Sequence, residues 1–326
     1  MTARLIDVHT HCMPSTLVGA LERRSDYPRI TRGSGNPEIE YGPGNGHALL
    51  PAMTDMDLRL SEMDAAGIDF AVLSAQVPGV DWFDEEDAVA IARDVNDELA
   101  DLSRRHPDKL AALAVLPMQS PERAAAELER AVGAGLKGGV TFSNIAGKDL
   151  DAADAGVVFE AAAALDVPMM IHPTYPLSAE ATNAYAFISS IGFLVDTSMA
   201  ALRLIWGGLY ERHPEFKLYL CHAGSLLPQL AGRIEYECER FPGALGKLEA
   251  RPAERVAMVY TDTVCMWQPA LRSAIELVGP DRMMFGTDYP FWAAEDTVDV
   301  FAEAELSGET RIAIESATAV RVFGVE

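Results

Sequence analysis

Short apolar, β-branched runs recur eight times along the chain, and the stretches between them carry helical periodicity. The runs begin at Arg4, Asp69, Leu110, Gly138, Val167, Phe216, Val256 and Arg282. Amphipathic segments fall at Met53 to Ala66, Glu85 to Arg105, Pro121 to Ala134, Gly156 to Leu165, Phe193 to Arg212, Leu226 to Arg240 and Pro269 to Val278, with more helix after the eighth run. Strand and helix in strict alternation predict parallel strands joined by crossover helices, and eight such units close into an α/β TIM (β/α)8 barrel. No second domain and no further repeat is visible, so residues 1–326 read as a single barrel domain.

That fold places functional groups at the C-terminal ends of strands. The first run ends on His9 and continues to His11; the fifth ends on His172, the sixth on His222, the seventh on Asp262 and the eighth on Asp288. Metal-capable side chains therefore collect on one rim. In Asp7-Val8-His9-Thr10-His11 the two histidines are two residues apart, which in extended backbone turns both imidazoles to one face, with Asp7 expected beside them as an outer acceptor. A His-x-His pair alone also reads as a solvated strand end, His172 alone as a satisfied core histidine, and Asp288 alone as a cap or turn residue. Their joint position on one rim points instead to His9, His11, His172 and Asp288 holding one divalent ion with a coordination position left open, zinc first and manganese as the alternative. His222 is expected beside the ion as the proton carrier, with Asp288 both ligand and orienting group.

Two irregular stretches, residues 23–51 after the first strand and 173–192 after the fifth, are expected as lids or substrate walls on the same rim. Trp267, Tyr289, Phe291 and Trp292 are candidates to line an apolar slot for a planar or conjugated acid. His47, His106 and His213 read as non-catalytic.

Composition narrows the partners. Against 26 Lys and Arg stand 49 Asp and Glu, a formal charge of -23 that repels phosphate backbones and anionic membrane surfaces, so neither nucleic acid nor membrane is expected. No run of eighteen apolar residues and no signal-like N-terminus appears, and the four cysteines form no CxxC pair, which fits a cytoplasmic protein.

The motifs "DVHTH", "MMIHP", "CHAGSLLPQLAGR" and "RMMFGTDYPF", in this order across nearly the whole chain, resemble the amidohydrolase superfamily. They are most similar to its branch typified by aminocarboxymuconate-semialdehyde decarboxylase and gamma-resorcylate decarboxylase. The resemblance implies His9, His11, His172 and Asp288 as metal ligands, His222 as the catalytic histidine and a homodimer. It also implies Arg233 as an arginine gripping a substrate carboxylate, in some members from the neighbouring subunit. Binuclear members use a modified lysine at the end of the fourth strand; here that strand ends "TFSN" and Lys137 stands at its beginning, so one ion is expected. The implied activity is non-oxidative decarboxylation of an aromatic or unsaturated carboxylic acid. The alternative is hydrolysis or hydration by the same apparatus, with His222 as base.

Overall fold

The computed structural model describes residues 4–42, 45–153 and 155–325. Among them, parallel strands β1 (Ile6–Cys12), β2 (Phe70–Ala75), β3 (Leu110–Ala112, resuming at Ala114–Val115), β4 (Gly139–Phe142), β5 (Met169–His172), β6 (Leu218–Leu220), β7 (Tyr260–Asp262) and β8 (Met283–Met284) pair in chain order. The ring closes between last and first strand, where Val8 N donates to Phe285 O (3.0 Å), Asp288 N to His9 O (2.7 Å) and His11 N to Tyr289 O (2.8 Å). This is the TIM barrel that the strand count implies.

The connecting helices are α1 (Met56–Ala66), α2 (Glu85–Arg105), α3 (Pro121–Gly133), α4 (Gly156–Ala164), α5 (Phe193–Trp206), α6 (Leu227–Arg240), α7 (Gln268–Val278) and, after β8, α8 (Ala294–Ala302). Local chemistry sets their ends. Asp55 caps α1 by accepting from Leu58 N, and Gly67 closes it in the left-handed region. In α2, Glu85, Glu86 and Asp87 occupy the first turn and Arg104 and Arg105 the last, complementing the helix dipole, while Ala88, Ala92, Val95, Leu99 and Leu102 form its buried stripe. The segment Ile188–Trp206 is long and apolar enough to cross a membrane by composition, yet from Phe193 onward it is the barrel's α5, with Ala200, Ala201, Leu204 and Ile205 buried.

The barrel interior is filled by Ile6, Val8, Phe70, Val72, Leu113, Val140, Met170, Tyr219 and Met284. The C-terminal segment plugs the end opposite the strand C-termini with Ala319, Val322, Phe323 and Val325. Lys137 Nζ reaches Gly324 O (3.2 Å) at that plugged end, far from strand β4's functional tip.

Two departures from the sequence reading bear on the site. Residues 23–51 are not irregular throughout: Arg29–Thr31, Glu38–Gly42 and Asn45–Ala48 form a three-stranded antiparallel sheet after β1. Strands β6 and β8 are also shorter than expected. His222 lies beyond β6 in a tight turn at φ 59°, and Asp288 lies beyond β8 at φ 59°. Left-handed backbone at non-glycine residues is uncommon and concentrates at functional sites.

Candidate metal centre

Strand β1 builds half of the centre, and it does so through a bulge. Asp7 pairs with Ala71 but Thr10 with Leu73, so β1 carries one residue more than β2 across this interval. The extra residue reverses the alternation. Ile6 and Val8 point into the barrel below the bulge, and His9 and His11 point to the same interior above it. Asp7 consequently falls outside the cluster. Its carboxylate accepts from Thr287 Oγ1 (2.6 Å), Thr287 N (3.1 Å) and His9 N (3.0 Å), stitching β1 to the β8 loop rather than backing an imidazole as expected. Burial pushes its pKa up to about 6 against the pull of these donors.

One ligand atom from each of His9, His11, His172 and Asp288 lies within 4.8 Å of the others, and all four residues are buried. The hydrogen bonds behind them leave the same ring nitrogen facing inward in each histidine. His9 Nδ1 donates to Asp262 Oδ2 (2.8 Å) and His172 Nδ1 to the Pro173 carbonyl (2.8 Å). His11 Nδ1 meets Ser74 Oγ (2.9 Å), whose hydroxyl in turn donates to Thr10 O (3.3 Å). Each Nδ1 proton is thus held from outside, and three Nε2 lone pairs converge. His9 Nε2 is buried with no hydrogen-bond partner among the described residues, and such a nitrogen among imidazoles and a carboxylate fits a metal ion.

Electrostatics favour a cation at this point. Burial would raise the Asp288 carboxyl, but His9, His11 and His222 hold it well below the usual range. Burial lowers His11 to about 4 and His172 well below the ordinary histidine value. At His9 burial acts in the same direction, yet the carboxylates of Asp262 and Asp288 prevail and bring it to about 10. The pocket thus pairs the Asp288 carboxylate with the neutral nitrogens of His11 and His172, and His9 carries positive charge that a bound cation would replace.

Asp262 is the bracket of the site. Its Oδ2 accepts from His9 Nδ1 and from Tyr219 OH (2.8 Å), and its Oδ1 from Val264 N (3.0 Å) and Ala223 N (3.2 Å). His9, Cys221 and Asp262 also lie close enough to hold an ion. With Asp262 engaged by four donors and burial pushing the Cys221 thiol well above its ordinary pKa, this trio reads as support for His9 instead.

Asp288 divides its two oxygens. Oδ1 faces His11 Nε2 (3.0 Å) and His9 Nε2 (3.3 Å), and Oδ2 faces Trp292 Nε1 (3.1 Å) and His222 Nε2 (3.5 Å). His222 therefore sits beside the ligand cluster with 15% of its side chain exposed, its ring centroid 4.9 Å from that of His9. Its other nitrogen, Nδ1, has no hydrogen-bond partner among the described residues.

The remaining candidates separate. Phe291 stands edge-on to His11 at 6.0 Å and lines the approach, and Trp292 holds Asp288. Tyr289 does not line the slot. It is buried behind β1, its carbonyl accepting from His11 N and Thr10 Oγ1 while its ring lies 4.8 Å from the Arg59 guanidinium. Trp267 is 66% exposed at the start of α7, and the Arg233 side chain is 77% exposed on α6, 3.9 Å from Glu237 one turn on. Neither touches the cluster of its own chain.

Sequence reasoning passed over three contributors. Arg59, fully buried, donates to Thr10 Oγ1 (2.7 Å), to Ala52 O (3.2 Å) and to His11 O, clamping the end of β1 from behind. Ser74 stands at the end of β2, and a rim-end serine was the available signal. His47, read as non-catalytic, comes from the insert sheet to within 5.2 Å of the Phe291 ring, and burial, then His11, lowers its pKa to about 4.

Comparison with known proteins gives the family and the fold. The family model described as amidohydrolase matches residues 6–325. Gamma-resorcylate decarboxylase of Rhizobium sp. is 31% identical over 328 residues, covering 94% of this chain and 98% of that protein. Among solved structures, 5-carboxyvanillate decarboxylase from Sphingomonas paucimobilis superposes with a TM-score of 0.88 at 28% identity over 100% of both chains. Dihydroxybenzoic acid decarboxylase from Polaromonas sp., with bound manganese and the inhibitor 2-nitroresorcinol, superposes with a TM-score of 0.83 at 28% identity over 99% of this chain and 97% of its own. The chain belongs to the amidohydrolase family.

Proposed function

We propose that this protein is a metal-dependent carboxy-lyase that removes carbon dioxide, without oxidation, from a hydroxylated aromatic or conjugated carboxylic acid. The observation that carries the reading is the convergence of three imidazoles and one carboxylate with a fourth histidine beside them, in a chain whose full-length relatives are decarboxylases of such acids. His9, His11, His172 and Asp288 would hold a divalent ion, which when bound would supply positive charge for the oxygens of the acid.

The chain's own groups do the rest. His222 Nε2, 3.5 Å from Asp288 Oδ2, donates a proton to the ring carbon that bears the carboxylate. The bond between that carbon and the carboxylate then breaks, its electron pair restores the conjugated ring, and carbon dioxide leaves. His222 is reprotonated from water. Phe291 supplies an apolar wall for the planar substrate.

Three imidazoles with one carboxylate suit zinc, and manganese is the ion in the Polaromonas neighbour, so these two are the ions to try first. We further place the protein in solution as a homodimer with Arg233 directed to the partner's site. Its exposure beside the half-exposed or more exposed Tyr236 and Phe241 supports that assignment. The four free cysteines support a reducing, cytoplasmic setting.

The deciding experiment offers the zinc- and manganese-loaded protein a panel of 2,6-dihydroxybenzoate, 5-carboxyvanillate and muconate-type acids and measures carbon dioxide. Release from at least one acid, lost on chelation, is expected. No release from any of them, with ring opening or water addition in related lactones, would assign the site to hydrolysis.

A further inference from the structure

The insert after β1 brings one polar side chain to the metal centre that the chemistry above does not use. His47 lies on the last strand of the insert sheet, opposite Ile39. Gly46 beside it lets the two strands close, because a Cβ there would sit 2.4 Å from Ile39 O. Tyr41 stacks on the His47 ring (centroids 5.6 Å apart, planes 25° apart), and its hydroxyl donates to Val77 O (3.2 Å) in the loop beyond β2, so the sheet is tied to the barrel rim. On its other side His47 meets the edge of Phe291, whose ring stands over His11. Among the described residues, His47 Nε2 is buried and has no hydrogen-bond partner.

A buried nitrogen held between two aromatic rings and left unpaired is matched best by a ligand atom. Three of the four arginines of the same insert are engaged elsewhere. Arg24 bonds Trp82 O, Tyr27 O and Asp26, Arg29 bonds Glu40 and Ser25 O, and Arg32 bonds Glu22. Arg59 is committed behind β1.

We propose that His47 is the specificity-determining residue of this site, its Nε2 hydrogen-bonding an oxygen substituent of the aromatic acid while Phe291 and Tyr41 fix the plane of the imidazole. The assignment rests on the decarboxylase reading. A neutral imidazole serves as donor to a carboxylate oxygen or as acceptor from a phenol, and its bond is made in the bound acid as well as in the reacting one. It therefore acts on KM more than on kcat.

The test uses the full-length, metal-loaded enzyme and whichever acid of the panel the native protein decarboxylates. His47→Leu is expected to raise KM at least about tenfold with kcat within about threefold of native. His47→Gln, which keeps a donor and an acceptor, is expected to restore KM to within about threefold. Metal per chain, measured by mass spectrometry, is expected to stay at the native value in both. An unchanged KM in His47→Leu, an equal rise in both variants, or loss of metal from either overturns the assignment, the second outcome assigning His47 to packing and the third to the metal centre. Absence of carbon dioxide from the native enzyme overturns the decarboxylase reading itself, and this assignment with it.

Discussion

Asp262 ends β7 and His222 lies just past the end of β6, and their contacts assign them different work. His222 stands beside the rings of His9 and His172 and faces Asp288 Oδ2, whereas Asp262 holds the Nδ1 proton of His9. His222→Asn should leave metal content at the native value and lower kcat by about 10²- to 10⁴-fold, the usual contribution of a positioned general acid. Retained turnover in that variant would remove the proton from its charge. Asp262→Asn keeps the shape but weakens the acceptor that fixes the His9 tautomer, so metal affinity should fall about 10- to 100-fold, read by competition with a chromophoric chelator. Native affinity would mean that His9 is oriented without it.

At the scale of elements, the centre depends on how β1 and the chain after β8 run together. The bulge in β1 turns His9 and His11 inward directly above Val8. Gly286 admits the close approach opposite, since a Cβ there would lie 2.8 Å from the His9 Cβ and 3.0 Å from the Asp262 Cβ. Neither neighbour is the tip of a flexible chain. Gly286→Ala should therefore destabilise the fold by about 1–3 kcal/mol and weaken metal binding at the same time, and native values for both the denaturation midpoint and the metal affinity would show that the strands yield.

At the scale of the molecule, the net charge of -23 means that an anionic substrate is drawn by the local centre and not by the overall field. Because the ligands come from β1, β5 and the loop after β8, ion binding ties distant parts of the barrel, and it stabilises only the folded chain. Chelation should lower the melting temperature by several degrees, and added zinc or manganese should restore it; an unchanged melting curve with proven metal loss would contradict this. A pH dependence comes from Asp81, which burial raises from the ordinary 3.8 to about 8. The folded chain then binds the proton more tightly than the unfolded one, so this contribution to stability is complete below about pH 4 and is lost as pH rises through about 8. Asp81→Asn should remove a loss on the order of a few kcal/mol between pH 5 and pH 8, measured by denaturant midpoints at the two values.

The eight-unit barrel, the rim and its set of histidines and aspartates were open to inspection in the sequence, because side-chain periodicity and strand-end position are local properties. Tertiary contact decided what each residue does there. The bulge that sends Asp7 to Thr287 depends on pairing with β2, the left-handed turns at His222 and Asp288 carry them past the strand ends, and Tyr289 faces Arg59 across the β1–β8 seam. The arrival of His47 at Phe291 needs a sheet folded from an insert with no long periodic run. Such placements arise from contacts between residues tens to hundreds of positions apart, which periodicity along the chain does not encode.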